Sequence, residues 1–307
     1  MLGYAFRRLL QAIPTLLVLV TLAFFMIRLA PGGPFDAEKS LPPEIQANLD
    51  RKYHLDEPLW QQYLRYLGDL ARGDLGPSFQ YPDYSVNELI ASGFPVSAQL
   101  GAGALALALV LGLLLGSLAA LRQNRFSDHA VMALAMTGIS IPNFVLAPLL
   151  ILAFSVHLGW LPAGGWEGNR FSHALLPTLT LALPLVAYIA RLQRGSLIEV
   201  LRSPAIRTAR AKGLPEYLVI GRHALKPALL PVVSFLGPAA AGVLTGSVVI
   251  EQIFGIPGLG RHFVQGALNR DYTLVLGVVI FYGALIVLFN FLVDLLYAWL
   301  DPKVRYR

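Results

Sequence analysis

From Val96 to Leu121 the chain carries no charged side chain, and five more apolar stretches of similar length recur along its 307 residues. Runs of this kind constrain the fold more than any motif does. Hydrocarbon offers no water to peptide N–H and C=O groups, so a spanning helix must satisfy them within itself. About 20 residues suffice to cross a core of about 30 Å. Six spans are predicted: Leu9–Leu29, Val96–Leu121, Ala130–Leu158, Ala174–Ala190, Ala228–Ile250 and Thr273–Leu300. Charged residues make up 14% of the chain, against about 25% in soluble domains. The expectation is an all-α integral membrane protein with six transmembrane helices.

Basic residues set the orientation. The side that holds the N-terminus would carry Arg7, Arg8, Arg122, Arg125, the bases between Arg191 and Lys226, and Lys303, Arg305 and Arg307; the opposite short loops carry only Arg170, Arg261 and Arg270. Bases concentrate in short cytoplasmic loops, so both termini are expected inside. Residues 31–95 carry ten acids and five bases, a net of −5, which leaves +11 for the rest. That asymmetry argues for loops on two sides of a membrane rather than for a nucleic-acid partner. The Arg7-Arg8 pair before the first span also allows a signal peptide, but the run exceeds a usual signal core and Ala30–Pro34 offers no cleavage pattern, so an uncleaved anchor is expected.

Within the polar stretch Arg191–Lys226 lies a short, well-bounded helix. Ser203 suits an N-cap and Pro204 the first helical position. Gly213 suits the left-handed residue beyond the last turn, and Pro215 blocks continuation. Pro204–Lys212 would span only about 13 Å, too short to cross a bilayer, and reads as a basic peg in the cytosol. Its bases Arg207, Arg210 and Lys212 could meet acidic groups of a partner or anionic lipid. Outside the spans, Leu59, Tyr63, Tyr66, Leu67 and Leu70 form an amphipathic face, with Asp56 as a possible cap and Pro58 in the first turn. That face either rests on the membrane or on other helices, or docks an external partner.

Catalytic signals are missing from the sequence. There is no cysteine, no G-x-x-x-x-G-K-[ST] phosphate loop, and no H-E-x-x-H or G-x-S-x-G. The six His residues show no metal-ligand spacing. No catalytic, cofactor or metal site is expected. Asp294 is the main ionisable group inside a span, and a structural ion pair with Arg191 is expected there rather than a proton relay. Gly112-x-x-x-Gly116 and Gly242-x-x-x-Gly246 permit close helix approach, while Pro142, Pro148, Pro177 and Pro184 loosen two spans for packing or for a gate. A stand-alone carrier or channel remains an alternative, although nearly charge-free spans provide little for an ion-driven cycle.

Four segments carry a family resemblance. They are Arg7–Thr15 closing at Leu29–Pro34, Gly73-Asp74-Leu75-Gly76-Pro77-Ser78, Ile206–Pro215, and Glu251–Gly260 running on to Asn269-Arg270-Asp271-Tyr272. Together they resemble the permease subunits of binding-protein-dependent ABC importers, in the peptide and nickel branch, over essentially the whole chain. Leu41–Glu44, Lys52–Leu55 and Arg222–Pro231 look most like the oligopeptide members, with dipeptide or nickel permeases as the alternative. The broad family pattern is E-A-A-x3-G, a spacer, then I-x-L-P; here only Ala209, Gly213 and Leu225 match it.

The resemblance implies a type I ABC importer permease fold. An N-terminal span and external region would occupy residues 1–93, a five-helix core residues 94–300, with the cytoplasmic loop 191–227 inside it, and a cytoplasmic tail residues 301–307. It implies an ATPase-coupling helix that includes Ser203, Pro204, Arg207, Thr208, Ala209, Arg210, Lys212 and Gly213. Small residues at Ala205, Thr208, Ala209 and Ala211 would let the ATPase approach. It also implies three kinds of partner: a second homologous permease, two ATP-binding subunits that hold ATP–Mg, and an extracytoplasmic peptide-binding protein. This chain would then be a pore half of the bacterial inner membrane and hold no cofactor itself. Pore-lining residues are not legible in the sequence.

Overall fold

The structure, a computed structural model, describes residues 2–30, 43–81, 83–167 and 171–300. Residues 31–34, Arg170 and residues 301–307 lie outside the described residues. In chain order, α1 (Leu2–Arg28) is followed by α2 (Pro43–Lys52), α3 (Leu59–Ala71) and the long α4 (Val86–Leu121). Next come α5 (Phe126–Ser140) and α6 (Asn143–Leu150), which runs on as a π-helical stretch, Ile151–His157. Then come α7 (Phe171–Leu201), α8 (Pro204–Ala211), the single turn α9 (Glu216–Leu218), a second π-helical stretch at Val219–Ala224, and α10 (Leu225–Ala228). The chain continues through α11 (Leu230–Ile253), α12 (Leu259–Leu268) and α13 (Tyr272–Leu300).

Among the described residues, five helices are long and apolar enough to cross a membrane, within α1, α4, α7, α11 and α13. The third predicted span, Ala130–Leu158, is not a straight rod. α5 and the α6 segment are bent by 106° against each other, and count as a sixth crossing only if taken as one broken span. The cause is local: Pro142 disfavours helical backbone at the residue before it, and Ile141 is extended at φ −91°, ψ 117°. The 36 residues of α4 would reach about 54 Å, so this helix runs well past one hydrocarbon layer. Its start is fixed by a reciprocal capping box. Ser85 N donates to the Glu88 carboxylate at 2.8 Å, and Glu88 N to Ser85 Oγ at 3.3 Å.

Packing divides the chain into two compact units. One comprises residues 9–97 and 257–285. Its core joins Val20 and Phe24 of α1 to Leu276 and Ile280 of α13, with Tyr63, Tyr66, Leu67 and Leu70 of α3 packed against them. The amphipathic face of α3 thus rests on other helices of its own chain. Phe24 has the rings of Tyr63 and Tyr66 at 5.4 and 5.8 Å, and Thr21 and Tyr63 share a 2.6 Å hydrogen bond between hydroxyls. The expected Asp56 cap is not formed: α3 starts one residue past Pro58, and no side chain caps it.

In the same unit, two motifs far apart in sequence close on each other through Asp271. Its buried carboxylate accepts from Ser78 Oγ at 2.5 Å, from the amides of Phe79 and Gln80 at 3.2 Å each, and from Leu274 N at 3.1 Å. Asp271 therefore caps α13 while holding the loop after Gly73-Asp74-Leu75-Gly76-Pro77. These donors, together with the Thr273 hydroxyl 3.0 Å from Oδ1, offset the cost of burying the charge.

The other unit comprises residues 1–8, 98–256 and 286–307. α7 is its central helix and packs on α5, α6 and α11. Gly112 and Gly116 of α4 lie tight against it, as the G-x-x-x-G spacing predicts. A Cβ on Gly116 would sit 2.5 Å from the Ala190 carbonyl oxygen, and one on Gly112 would sit 2.7 Å from Ile189 Cβ. Gly242 behaves otherwise. A Cβ there meets nothing within 4 Å, because Gly242 borders a cavity of about 200 Å³ with Pro184, Tyr188, Phe235 and Pro238.

The two glycine positions make a paired prediction. Gly116→Ala should push α4 off α7 and lower the melting temperature of the detergent-solubilised protein by several degrees, while Gly242→Ala should leave it unchanged. Equal melting temperatures for both variants would contradict the packing.

Candidate coupling site

α8 is bounded much as its sequence predicts, but its caps work differently. Ser203 has the extended backbone of an N-cap, φ −68° and ψ 155°, yet its hydroxyl makes no cap bond. Pro204 contributes no N–H, so one donor of the first turn needs no partner. Thr208 Oγ1 donates back to the Pro204 carbonyl at 3.0 Å. At the other end Lys212 is the C-cap, and Gly213 takes the left-handed conformation at φ 74°. Leu214 N donates to Ala209 O and Gly213 N to Arg210 O, the paired closure of a Schellman turn.

One face of α8 belongs to its own chain. Ile206 and Ala209 are buried, in a core with Ala120 of α4, Leu197 of α7, and Val219, Ala224 and Ala228 beyond the loop. This corrects the expectation that Ala209 is open to a partner: it is 6% exposed and cannot meet a second protein. Ala205, Arg207, Thr208, Arg210, Ala211 and Lys212 are exposed. The three residues that match the broad family pattern all shape this seat. Ala209 lies in the core, Gly213 makes the turn, and Leu225 packs against the core. The positions that depart from the pattern, Arg207 and Thr208, face outward.

Arg210 is not a free base. Its guanidinium grips Glu216, Nη2 to Oε1 at 2.5 Å and Nε to Oε2 at 3.1 Å. This hydrogen bonding holds the Glu216 carboxyl below its ordinary value and raises that of Arg210. A depressed carboxyl contributes above its unfolded value and loses that contribution as pH falls through the lowered one. The clamp across the α8–α9 turn therefore persists at neutral and mildly acidic pH. Arg207 and Lys212 are left as the outward bases of the helix.

The ion pair expected between Asp294 and Arg191 is not formed. Asp294 Oδ2 lies 3.2 Å from Arg8 Nε, so the last helix is tied to the start of the first. Arg191 instead lies over the Tyr188 ring, 5.2 Å from its centroid. A guanidinium satisfied by an aromatic face needs no carboxylate. The stronger pair is one that sequence reasoning missed. Arg194 of α7 holds Asp128 of α5 in a fork, 2.6 and 2.7 Å, and Asn124 N adds a third bond at 2.9 Å. Asp128 is fully buried. Close by, Arg202 Nη2 donates to Gln123 Oε1 at 3.1 Å and Gln193 Nε2 to Ser117 Oγ at 3.3 Å. The end of α7 that carries α8 is thus pinned to α4, to α5 and to the turn between them. No sequence signal marks Asp128, because a 66-residue separation from its partner leaves no periodic trace.

Comparison with known proteins bears on what such an arrangement is for. The family described as binding-protein-dependent transport system inner membrane component matches residues 112–306. The oligopeptide transport system permease protein OppB of Escherichia coli K12 is 60% identical over 306 residues, covering 100% of both chains. That of Haemophilus influenzae is 56% identical over the same length. The dipeptide transport system permease protein DppB of Bacillus subtilis is 47% identical over 302 residues, 98% of this chain and 97% of that one. Among solved structures, an amino acid ABC transporter with histidines aligns at TM-score 0.56 and 19% identity, covering 69% of this chain and 94% of that one. The inward-facing MetNI methionine ABC transporter aligns at 0.55 and 21%, covering 69% and 96%. At such identities these two establish the fold alone, that of an ABC transporter's membrane subunit.

The two carboxylates should differ in weight. Asp128→Ala strips a forked partner from Arg194 and should cost about 2 kcal/mol, whereas Asp294→Asn removes a half-exposed pair and should cost under about 1 kcal/mol. Melting of the solubilised protein checks the ranking, and a larger loss for Asp294→Asn would reverse it.

Proposed function

Because this chain belongs to the family of binding-protein-dependent transport system inner membrane components, we propose that it is the permease of an oligopeptide importer. It is a multi-pass inner-membrane protein and a pore subunit rather than an enzyme. In this reading it pairs with a second homologous permease to enclose the path. Two ATP-binding subunits meet it from the cytosol, and an extracytoplasmic binding protein delivers the peptide. ATP–Mg belongs to those subunits, and this chain holds no cofactor. The distribution of bases supports placing both termini and α8 on the cytosolic side.

One observation carries the coupling role. The helix that presents Arg207 and Lys212 outward is keyed by Ile206 and Ala209 into the end of α7 and into the segment leading to α11. A load applied to its exposed face reaches two membrane helices without passing through a flexible link. The Schellman closure and the Arg210–Glu216 clamp make α8 and its following turn one stiff piece. When ATP binding brings the ATPases together, α8 moves with them and carries the inner ends of α7 and α11. Arg194 passes the same displacement to α5 through Asp128. Contact with anionic lipid alone would need no such keyed face. Oligopeptides are favoured over dipeptides as cargo by the full-length identity of 60% against 47%.

Gly213→Pro is the direct test, since proline is confined near φ −65° and this residue sits at φ 74°. Expressed with its partner subunits, the variant should insert and assemble but lose ATP-driven uptake of a tetrapeptide. Normal uptake would remove the coupling role. Substrate class is read separately, by growth of a peptide auxotroph on tripeptides and longer peptides against dipeptides. Support by dipeptides alone would reassign the cargo.

A further inference from the structure

Where α1 leaves the apolar layer, its last helical residue is a base. Arg28 ends the first candidate span, and its guanidinium lies 5.5 Å above the Phe24 ring. Beside it is a cavity of about 230 Å³, closed by α2, α3, the 75–79 loop and the start of α13. At about 30 Å³ per water, it holds roughly eight water-sized groups, the scale of a small polar headgroup. Its floor is apolar, with Phe24, Ile27 and Leu276. Its rim is cationic. Arg28 and Lys52 border it without a carboxylate in hydrogen-bond contact among the described residues, while Arg65 is engaged by Glu57 at 2.6 Å. Asp69 is the only acid on the wall among the described residues.

Two buried polar atoms on this wall have no hydrogen-bond partner among the described residues. The Tyr66 hydroxyl is shielded from solvent and unmatched. Gln62 is 7% exposed; its amide nitrogen donates to the carbonyls of Leu55 and Glu57, which leaves Oε1 without a donor. Unmatched buried groups are rare in folded proteins and call for an occupant. The occupant must offer negative charge to Arg28 and Lys52, an acceptor for Tyr66 and a hydroxyl donor for Gln62. Burial pushes the Tyr66 phenol well above its ordinary value, so it remains a donor at any physiological pH.

We propose that this cavity binds the headgroup of an anionic, hydroxyl-bearing phospholipid, with the phosphate on Arg28 and Lys52 and a headgroup hydroxyl on Gln62 Oε1. A free phosphate ester matches the charges but not the apolar floor of Phe24, Ile27 and Leu276. A peptide carboxylate would do the same and would leave the depth of the site, at the edge of a span, unexplained. Phosphatidylglycerol has the required chemistry.

The full-length chain, purified in detergent and delipidated, can be titrated with phosphatidylglycerol or phosphatidylcholine and followed by native mass spectrometry. Phosphatidylglycerol should bind about tenfold more tightly than phosphatidylcholine, as expected for one charge-assisted contact. Arg28→Gln should abolish that preference. Tyr66→Phe keeps the ring packed on Phe24, removes only the hydroxyl, and should weaken phosphatidylglycerol several-fold without affecting phosphatidylcholine. Arg72→Gln, outside the cavity, should change neither. Equal binding of the two lipids, or a preference that survives both Arg28→Gln and Tyr66→Phe, overturns the proposal. So does displacement of phosphatidylglycerol by equimolar glycerol 3-phosphate, which points to a soluble phosphate ester, or by equimolar trialanine, which points to peptide.

Discussion

Peptide groups in hydrocarbon have no solvent to fall back on, and the architecture of this protein follows from that. A straight helix meets the requirement by itself. Each departure from a straight helix needs a local remedy. At Ile141–Pro142 the chain turns by 106°, and Val145 N and Leu146 N return to the Pro142 carbonyl to restart the ladder. Pro148 and Pro227 withhold an N–H, and each has a π-helical stretch close by, at 151–157 and 219–224. Wider turns of this kind let the backbone re-pair around a missing donor. Irregular backbone is thus concentrated in α6 and in the passage from α8 to α11.

Within its own unit, α7 joins elements that would otherwise be independent. Gly112 and Gly116 let α4 approach it backbone to backbone, and Asp128 is clamped by Arg194 where α5 begins. Near its end, Leu197 forms part of the floor on which α8 rests. The α8 helix, to which we assign the coupling role, is therefore a projection of a braced structure and not a loop on a tether. Stiffness of this kind matters for force transmission, because a displacement applied at α8 is wasted on any joint that can bend first.

Charge is handled differently in each region. Arg194 and Asp128 meet in a forked geometry that meets most of their hydrogen-bonding capacity. Arg8 and Asp294 keep a looser, half-exposed contact between the first and last helices. In the other unit, Asp271 collects main-chain and hydroxyl donors in place of a base, and so unites the loop after Gly73 with the cap of α13. The cavity beside Arg28 is the exception: Arg28 and Lys52 rest on aromatic rings without a carboxylate, and the Tyr66 hydroxyl and Gln62 Oε1 have no hydrogen-bond partner among the described residues.

Span existence, the break near Pro142 and the limits of α8 were legible in the sequence, because each rests on local chemistry: unbroken apolar runs, proline geometry, and a glycine where left-handed backbone is needed. The spacing of Gly112 and Gly116 was also readable, since a helix face is set by residue periodicity. Pairing was not. Asp294 chose Arg8 over Arg191, and Arg191 turned to Tyr188, since the helical register that brings side chains together is decided by the packing of whole helices. Ala209 looked like partner-facing surface until the helix was laid against Leu197 and Val219. Asp128 with Arg194, and Asp271 with Ser78, join positions whose separation along the chain carries no periodic signal. What is near in sequence was determined by the sequence alone; what is near in space needed the tertiary structure, because only there do helix orientation and burial select one partner among several of like chemistry.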